Sequence, residues 1–169
     1  SFTMPDAPAL VRQVSDRLGD KIVLGAGTIL DTETARTALM AGAQFIVTPG
    51  FDPQVVDWFL EAGLPVTPCV MTPTYINAAL NKGLQVLKFF PAEAAGGVKT
   101  LKAISAPYGG VKFIPTGGIS PKNLANYLAL PSVLACGGSW LVKKQLISSA
   151  DFESIKKLTQ EAVALVKEA

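Results

Sequence analysis

Histidine is absent from all 169 residues. Its absence removes histidine general bases and Ser-His relays outright, along with the ligand that catalytic zinc most often uses. No grouping of Cys, Asp and Glu has a spacing that would replace it, so neither a metal nor a cofactor is expected. Charge is scarce as well. Asp, Glu, Lys and Arg make up 17% of the chain, and the net charge is +2 without a basic run, which argues against nucleic acid or an anionic membrane as partner. Long apolar runs are missing too, none approaching the roughly 18 residues of a membrane span, and no signal-peptide pattern opens the chain. The two cysteines, Cys69 and Cys136, fall in apolar, strand-like runs, which reads as buried thiols in a reducing compartment, the cytoplasm. What remains is a chain 49% hydrophobic, a composition and length that describe one well-buried globular domain.

Chemistry must therefore come from lysine, a carboxylate, tyrosine or the backbone. Residues 84–93, LQVLKFFPAE, put one cation inside an otherwise apolar run closed by proline, a pattern that predicts a short buried strand. Period-2 alternation places Lys88 on one face with Leu84, Val86 and Phe90, near the strand's C-terminal end. Burial there disfavours the ammonium form, lowers the pKa and leaves an amine able to form a Schiff base with a carbonyl. The alternative is a lysine at a sheet edge, or one that snorkels to water along its stem.

Strand-like runs centred near Val23, Ile46, Thr67, Leu87, Phe113 and Leu134 recur roughly every 20 to 26 residues with a helical pattern between them, the rhythm of parallel βα units. Helices are expected after Pro5-Asp6, after an Asp31 or Thr32 cap, over 53–62, up to about Leu80, up to about Ile104 and over 121–128. A last helix begins at Asp151 with the apolar stripe Phe152, Ile155, Leu158, Ala162, Leu165 and Val166. Loops rich in Gly, Thr, Ser and Pro all follow strands, where barrels and doubly wound sheets both place their sites. Periodicity alone does not choose between those folds.

Two of these loops, Thr116-Gly117-Gly118 and Gly137-Gly138-Ser139, end consecutive strands. Backbone N–H groups freed by glycine, with hydroxyls beside them, suit a phosphate, although a glycine pair also marks an ordinary turn. Gly25-Ala26-Gly27-Thr28 lacks the third glycine and the downstream acid of a dinucleotide site. Thr28 is either a small-ligand contact or a turn residue. Glu93 is a possible acid or base whose default is a solvated loop carboxylate. Tyr75, Tyr108, Trp58 and Trp140 are assigned to packing.

The motifs LKFFPAE at 87–93, PTGGI at 115–119 and GGSW at 137–140 come in that order after VLGAGT at 23–28, VTPG at 47–50 and MTPT at 71–74. Together they closely resemble the 2-keto-3-deoxy-6-phosphogluconate (KDPG) aldolases, grouped with the 4-hydroxy-2-oxoglutarate (KHG) aldolases. The resemblance implies a homotrimeric class I aldolase on a (β/α)8 TIM barrel, a single domain over 1–169, cleaving a keto-acid phosphate to pyruvate and glyceraldehyde 3-phosphate. It makes Lys88 the Schiff-base residue and gives Thr28 the pyruvate half. Pro49 and Phe90 would line the pocket, and Thr116, Gly117, Gly118, Gly138 and Ser139 would hold the phosphate.

It also implies a glutamate proton shuttle two residues before Ser1 and an upstream arginine for the carboxylate; Thr3 falls where some members carry that arginine. Six strands do not close an eight-stranded barrel, so the chain is expected to lack the first strand, its helix and most of the second. The alternatives are KHG or 6-phosphogalactonate-type cleavage, a phosphate-binding barrel without aldolase chemistry, and an inactive assembly fragment.

Overall fold

In the computed structural model, which describes residues 1–168, helices and parallel strands alternate, as expected of an α/β chain. Contacts divide it into two units, Ser1–Lys88 and a second from Phe89 onward. No helix among the described residues is long and apolar enough to cross a membrane.

The first unit runs α1 (Ala7–Leu18), β1 (Gly25–Gly27), α2 (Thr32–Met40), β2 (Phe45–Val47), α3 (Pro53–Glu61), β3 (Val66–Thr67), α4 (Pro73–Leu80) and the opening residues of β4 (Val86–Phe89). Strands β1, β2 and β3 are parallel neighbours in a register that sets Ala26 beside Ile46 and Ile46 beside Val66. Those three side chains share a face and are buried against Ala35 and Ala38 of α2 and Val55, Val56 and Phe59 of α3. The amphipathic spacing of the helices and the alternation of the strands thus meet in one apolar layer. Helix entries are fixed locally. Asp31 accepts the Thr34 N–H at 2.7 Å, and Asp52 accepts the Gln54 N–H at 2.8 Å just ahead of Pro53, satisfying amides with no intrahelical partner.

The first predicted strand is displaced. Residues 22–24 lie outside β1, with Val23 76% exposed, and pairing begins at Gly25. The Phe45 ring occupies the space a side chain at Gly25 would need, so glycine is required where the strand begins.

The second unit holds Phe89, α5 (Gly97–Ser105), β5 (Lys112–Pro115), α6 (Leu124–Leu128), a 3-10 turn at Ser139–Leu141, α7 (Lys144–Ser148) and α8 (Phe152–Glu168). The predicted strand around Leu134 is not a continuous ladder; it makes isolated parallel bridges, Phe113 to Val133 and Thr116 to Gly137. The reason is one extra residue. Phe113 O accepts from Leu134 N–H and Pro115 O from Gly137 N–H, so acceptors two apart face donors three apart and the alternation breaks. Leu134 is consequently 56% exposed and Cys136, expected to be buried, is half-buried.

Helix α6 starts later than its apolar pattern suggests, because Asn123 Oδ1 accepts the Ser120 N–H at 2.8 Å and holds 120–123 as a turn. Asp151 caps α8 through the Ser154 N–H and hydroxyl, at 3.1 and 2.7 Å. The α8 stripe is less buried than expected. Ala162 is covered, while Phe152 and Val166 are 63% and 52% exposed, and Val163 and Val166 line an apolar groove of about 420 Å³ with Leu124, Leu134 and Trp140.

Candidate active site

In the first unit the candidate residues gather where parallel strands end. Gly27, Val47 and Thr67 are aligned in register, and the chain leaves those strands through Thr28, Thr48-Pro49 and Pro68-Cys69. Thr28 N–H donates to Val47 O at 3.0 Å, which seats Thr28 beside the segment carrying Pro49. Thr28 has φ 65°, a left-handed conformation that is costly for a β-branched residue and points to a constraint on where its side chain must lie. Its Oγ1 accepts from Ser1 Oγ at 3.0 Å, a bond that leaves its own proton available to a ligand.

Lys88 follows the predicted alternation. Leu87 and Phe89 are fully buried, whereas Val86 and Lys88 take the other, half-buried face. Its backbone is held on both sides, Lys88 N–H donating to Pro68 O and Lys88 O accepting from Val70 N–H, each at 2.9 Å, and it is bridged to Cys69. Burial lowers its pKa from the ordinary 10.5, and the neighbouring Cys69 thiol opposes that shift. An amine with a lowered pKa, on a rigid strand near its C-terminal end, is equipped for nucleophilic attack on a carbonyl. Cys69 is buried, as expected of a core thiol; its bridge to Lys88 depends on strand register, which the sequence does not display.

In the second unit a second cluster forms. Phe90, 37% exposed, lies across Gly117, where an added Cβ would come within 3.0 Å of the ring. Thr116 N–H donates to Phe89 O at 2.9 Å and bridges to Gly137. The Thr116 Oγ1 is buried with no hydrogen-bond partner among the described residues, an unusual state for a hydroxyl. Gly117 and Gly118 have φ values of 91° and 82°, which side-chain-bearing residues rarely adopt. Among the described residues their N–H groups have no protein acceptor. Gly138 lies against the Trp140 ring, and Ser139 opens the 3-10 turn, exposed. A buried hydroxyl beside two unpaired N–H groups on a glycine turn has the donors that a compact anion requires.

Two residues of this cluster escape sequence reasoning. Tyr127 is fully buried and its hydroxyl donates to Glu93 Oε1; burial, then the Glu93 carboxylate, push its pKa upward, so it stays a donor. Its helical spacing with Leu124 and Leu128 signals only packing. Asn123 donates to Gly118 O at 3.1 Å, and the spacing Ser120-Pro121-Lys122-Asn123 is a turn signal that could have found it. Glu93 is exposed, as its default reading has it, but it is anchored. Of the residues assigned to packing, Trp58 stands edge-on to Phe59 with the Arg36 guanidinium 5.9 Å from its ring centroid, whereas Tyr75 is 49% exposed beside Phe51.

Comparison with known proteins bears on both clusters. The family described as KDPG and KHG aldolase matches residues 1–158. The 2-dehydro-3-deoxy-phosphogluconate aldolase of Treponema pallidum (strain Nichols) is 49% identical over 145 residues, 86% of this chain and 69% of the relative. The KHG/KDPG aldolase of Escherichia coli (strain K12) is 43% identical over 153 residues, 90% and 71% of the two chains. Among solved structures, the KDPG aldolase from Legionella pneumophila, with pyruvate captured at low pH as a covalent carbinolamine intermediate, superposes with a TM-score of 0.89 at 35% identity, covering 92% of this chain and 75% of that one.

Proposed function

The chain belongs to the KDPG and KHG aldolase family, and from that premise we propose that it is a class I aldolase, a carbon–carbon lyase that cleaves 2-keto-3-deoxy-6-phosphogluconate to pyruvate and glyceraldehyde 3-phosphate through a Schiff base on Lys88. The observation that carries the reading is Lys88 itself, a half-buried strand lysine with a lowered pKa in a family where pyruvate has been captured covalently. The neutral Lys88 Nζ adds to the C2 carbonyl to give a carbinolamine, which loses water to a protonated imine. The C4 hydroxyl then gives up its proton as the C3–C4 bond breaks, and the electron pair flows into the imine to leave an enamine and the aldehyde. Protonation at C3 and addition of water release pyruvate and restore the amine.

On the family resemblance, Thr28 helps bind the pyruvate half, and Pro49 and Phe90 are assigned to the pocket lining. Thr116, Gly117, Gly118, Gly138 and Ser139 take the phosphate, a role supported by the orphaned Thr116 hydroxyl. A single (β/α)8 barrel domain over 1–169, a homotrimer and a cytoplasmic location belong to the same reading, on the strength of the family resemblance and the two thiols. The name of the Escherichia coli relative favours phosphate-free 4-hydroxy-2-oxoglutarate as a second substrate.

Incubation with pyruvate and borohydride, followed by peptide mass spectrometry, is expected to place the adduct on Lys88. A folded sample with no adduct there would overturn the assignment.

Thr28 supplies a further test. A left-handed conformation costs an L-residue about 1–2 kcal/mol, and glycine's greater chain entropy returns part of that. Thr28→Gly is therefore expected to raise stability by about 1 kcal/mol in a denaturant titration. Because the hydroxyl is lost, kcat/KM should fall about tenfold in the same preparation.

A further inference from the structure

We propose that Glu93 is a positioning residue that, held by Tyr127, fixes the 116–118 loop in the shape that takes the phosphoryl end of the substrate and so sets the preference for phosphorylated over phosphate-free keto acids. The proposal rests on the phosphate role given above to that loop.

Three backbone bonds join the exit of β4 to this loop: Thr116 N–H to Phe89 O at 2.9 Å, Ala92 N–H to Thr116 O at 2.8 Å and Glu93 N–H to Gly117 O at 3.1 Å. The C=O and N–H of a trans peptide point in opposite directions. Turning the Thr116 and Gly117 carbonyls toward residues 92 and 93 therefore turns the N–H groups of Gly117 and Gly118 away from them, and these are the donors left without a protein acceptor. The orientation of the Gly118 donor thus depends on where residue 93 sits, and that of the Gly117 donor on Ala92 beside it.

The Glu93 side chain is seated with unusual care for an exposed carboxylate. Its Oε1 accepts from the hydroxyl of the fully buried Tyr127. Its Cβ and Cγ lie where a Cβ on Gly118 would fall, at 2.6 Å. A Cβ on Gly97 would come within 3.2 Å of Oε1 and 3.5 Å of the Tyr127 hydroxyl. Gly97 and Gly118, both at positive φ, thus leave the space that Glu93 fills, while Asn123 holds the far side of the loop through Gly118 O. A solvated carboxylate needs none of this. A residue that must hold one loop conformation does.

The test compares wild type, Tyr127→Phe, Glu93→Ala and Glu93→Gln with 2-keto-3-deoxy-6-phosphogluconate, with 4-hydroxy-2-oxoglutarate and with inorganic phosphate as competitive inhibitor. Tyr127→Phe keeps the ring in the core, and Glu93→Ala makes the same test at an exposed side chain. Both are expected to raise KM for the phosphorylated substrate and Ki for phosphate about tenfold, the loss of one charge-assisted bond. Their kcat should stay within about twofold, with KM for the phosphate-free substrate unchanged. Glu93→Gln, whose amide oxygen still accepts, should remain within about threefold of wild type. Unchanged KM and Ki in Tyr127→Phe and Glu93→Ala, or an equal rise for both substrates, overturns the proposal while leaving the phosphate reading intact. A wild-type enzyme that phosphate does not inhibit, and that does not prefer the phosphorylated substrate, overturns both and is recognised before any substitution is made.

Discussion

Lys88→Met is expected to abolish borohydride trapping of pyruvate and to lower kcat/KM by about 10⁴-fold or more, because the reaction then has neither its nucleophile nor its electron sink. The same substitution is expected to raise thermal stability at neutral pH. Lys88 lies half-buried on an apolar strand, and burial lowers its pKa from 10.5, so the fold bears a penalty for the charged form that an unbranched apolar side chain of similar length does not. The pH dependence carries the sign. The folded chain releases this proton at lower pH than the unfolded chain. Between the folded value and 10.5 the unfolded state therefore binds more protons, and the Lys88 contribution to stability rises with pH; below that window the penalty is constant. Melting curves at neutral and alkaline pH should show this slope in the wild type and its loss in Lys88→Met. Trapping by the wild type should quicken as pH rises and the free amine accumulates. A lysine present only for packing would give no pyruvate trapping for the substitution to remove.

What the sequence makes legible here is whatever depends on local pattern. The alternation of Val86, Leu87, Lys88 and Phe89 places the lysine on its face. The cap at Asp31 and the proline at 53 fix helix starts to within a residue. Two failures share another cause, because they turn on residues distant in sequence. The first strand is formed by Gly25–Gly27, where the Phe45 ring, twenty positions away, fills the space a side chain at Gly25 would need. The run around Leu134 loses its ladder because its register against Phe113 and Pro115 carries one residue too many, which no count of apolar residues reveals. The site divides the same way. Lys88, Thr116 and the glycines are visible as types out of place in a strand or at its end, whereas Tyr127 sits at an ordinary helical spacing and acquires its role only by facing Glu93 across 34 positions.

Thr116→Val is expected to separate stability from binding. The Thr116 Oγ1 is buried and no group among the described residues offers it a hydrogen bond, and an uncompensated hydroxyl of this kind costs about 1–3 kcal/mol. Valine has nearly the same shape and the same β-branching, so it keeps the backbone preference of β5's exit and the contact with Gly137 while removing the desolvated oxygen. Stability should rise by about 1–2 kcal/mol in a denaturant titration. Affinity should move the other way. In the proposed reaction this hydroxyl donates to a phosphate oxygen, a charge-assisted bond whose loss raises KM for the phosphorylated substrate by about 10- to 100-fold. Pyruvate trapping on Lys88, which involves no phosphate, should be untouched. A protein that lost stability on this substitution would show that the hydroxyl is bonded within the fold, and an unchanged KM would take Thr116 out of the phosphate site. The two expected effects have one origin: a polar group kept unpaired by the protein is a cost in folding that only a ligand can repay.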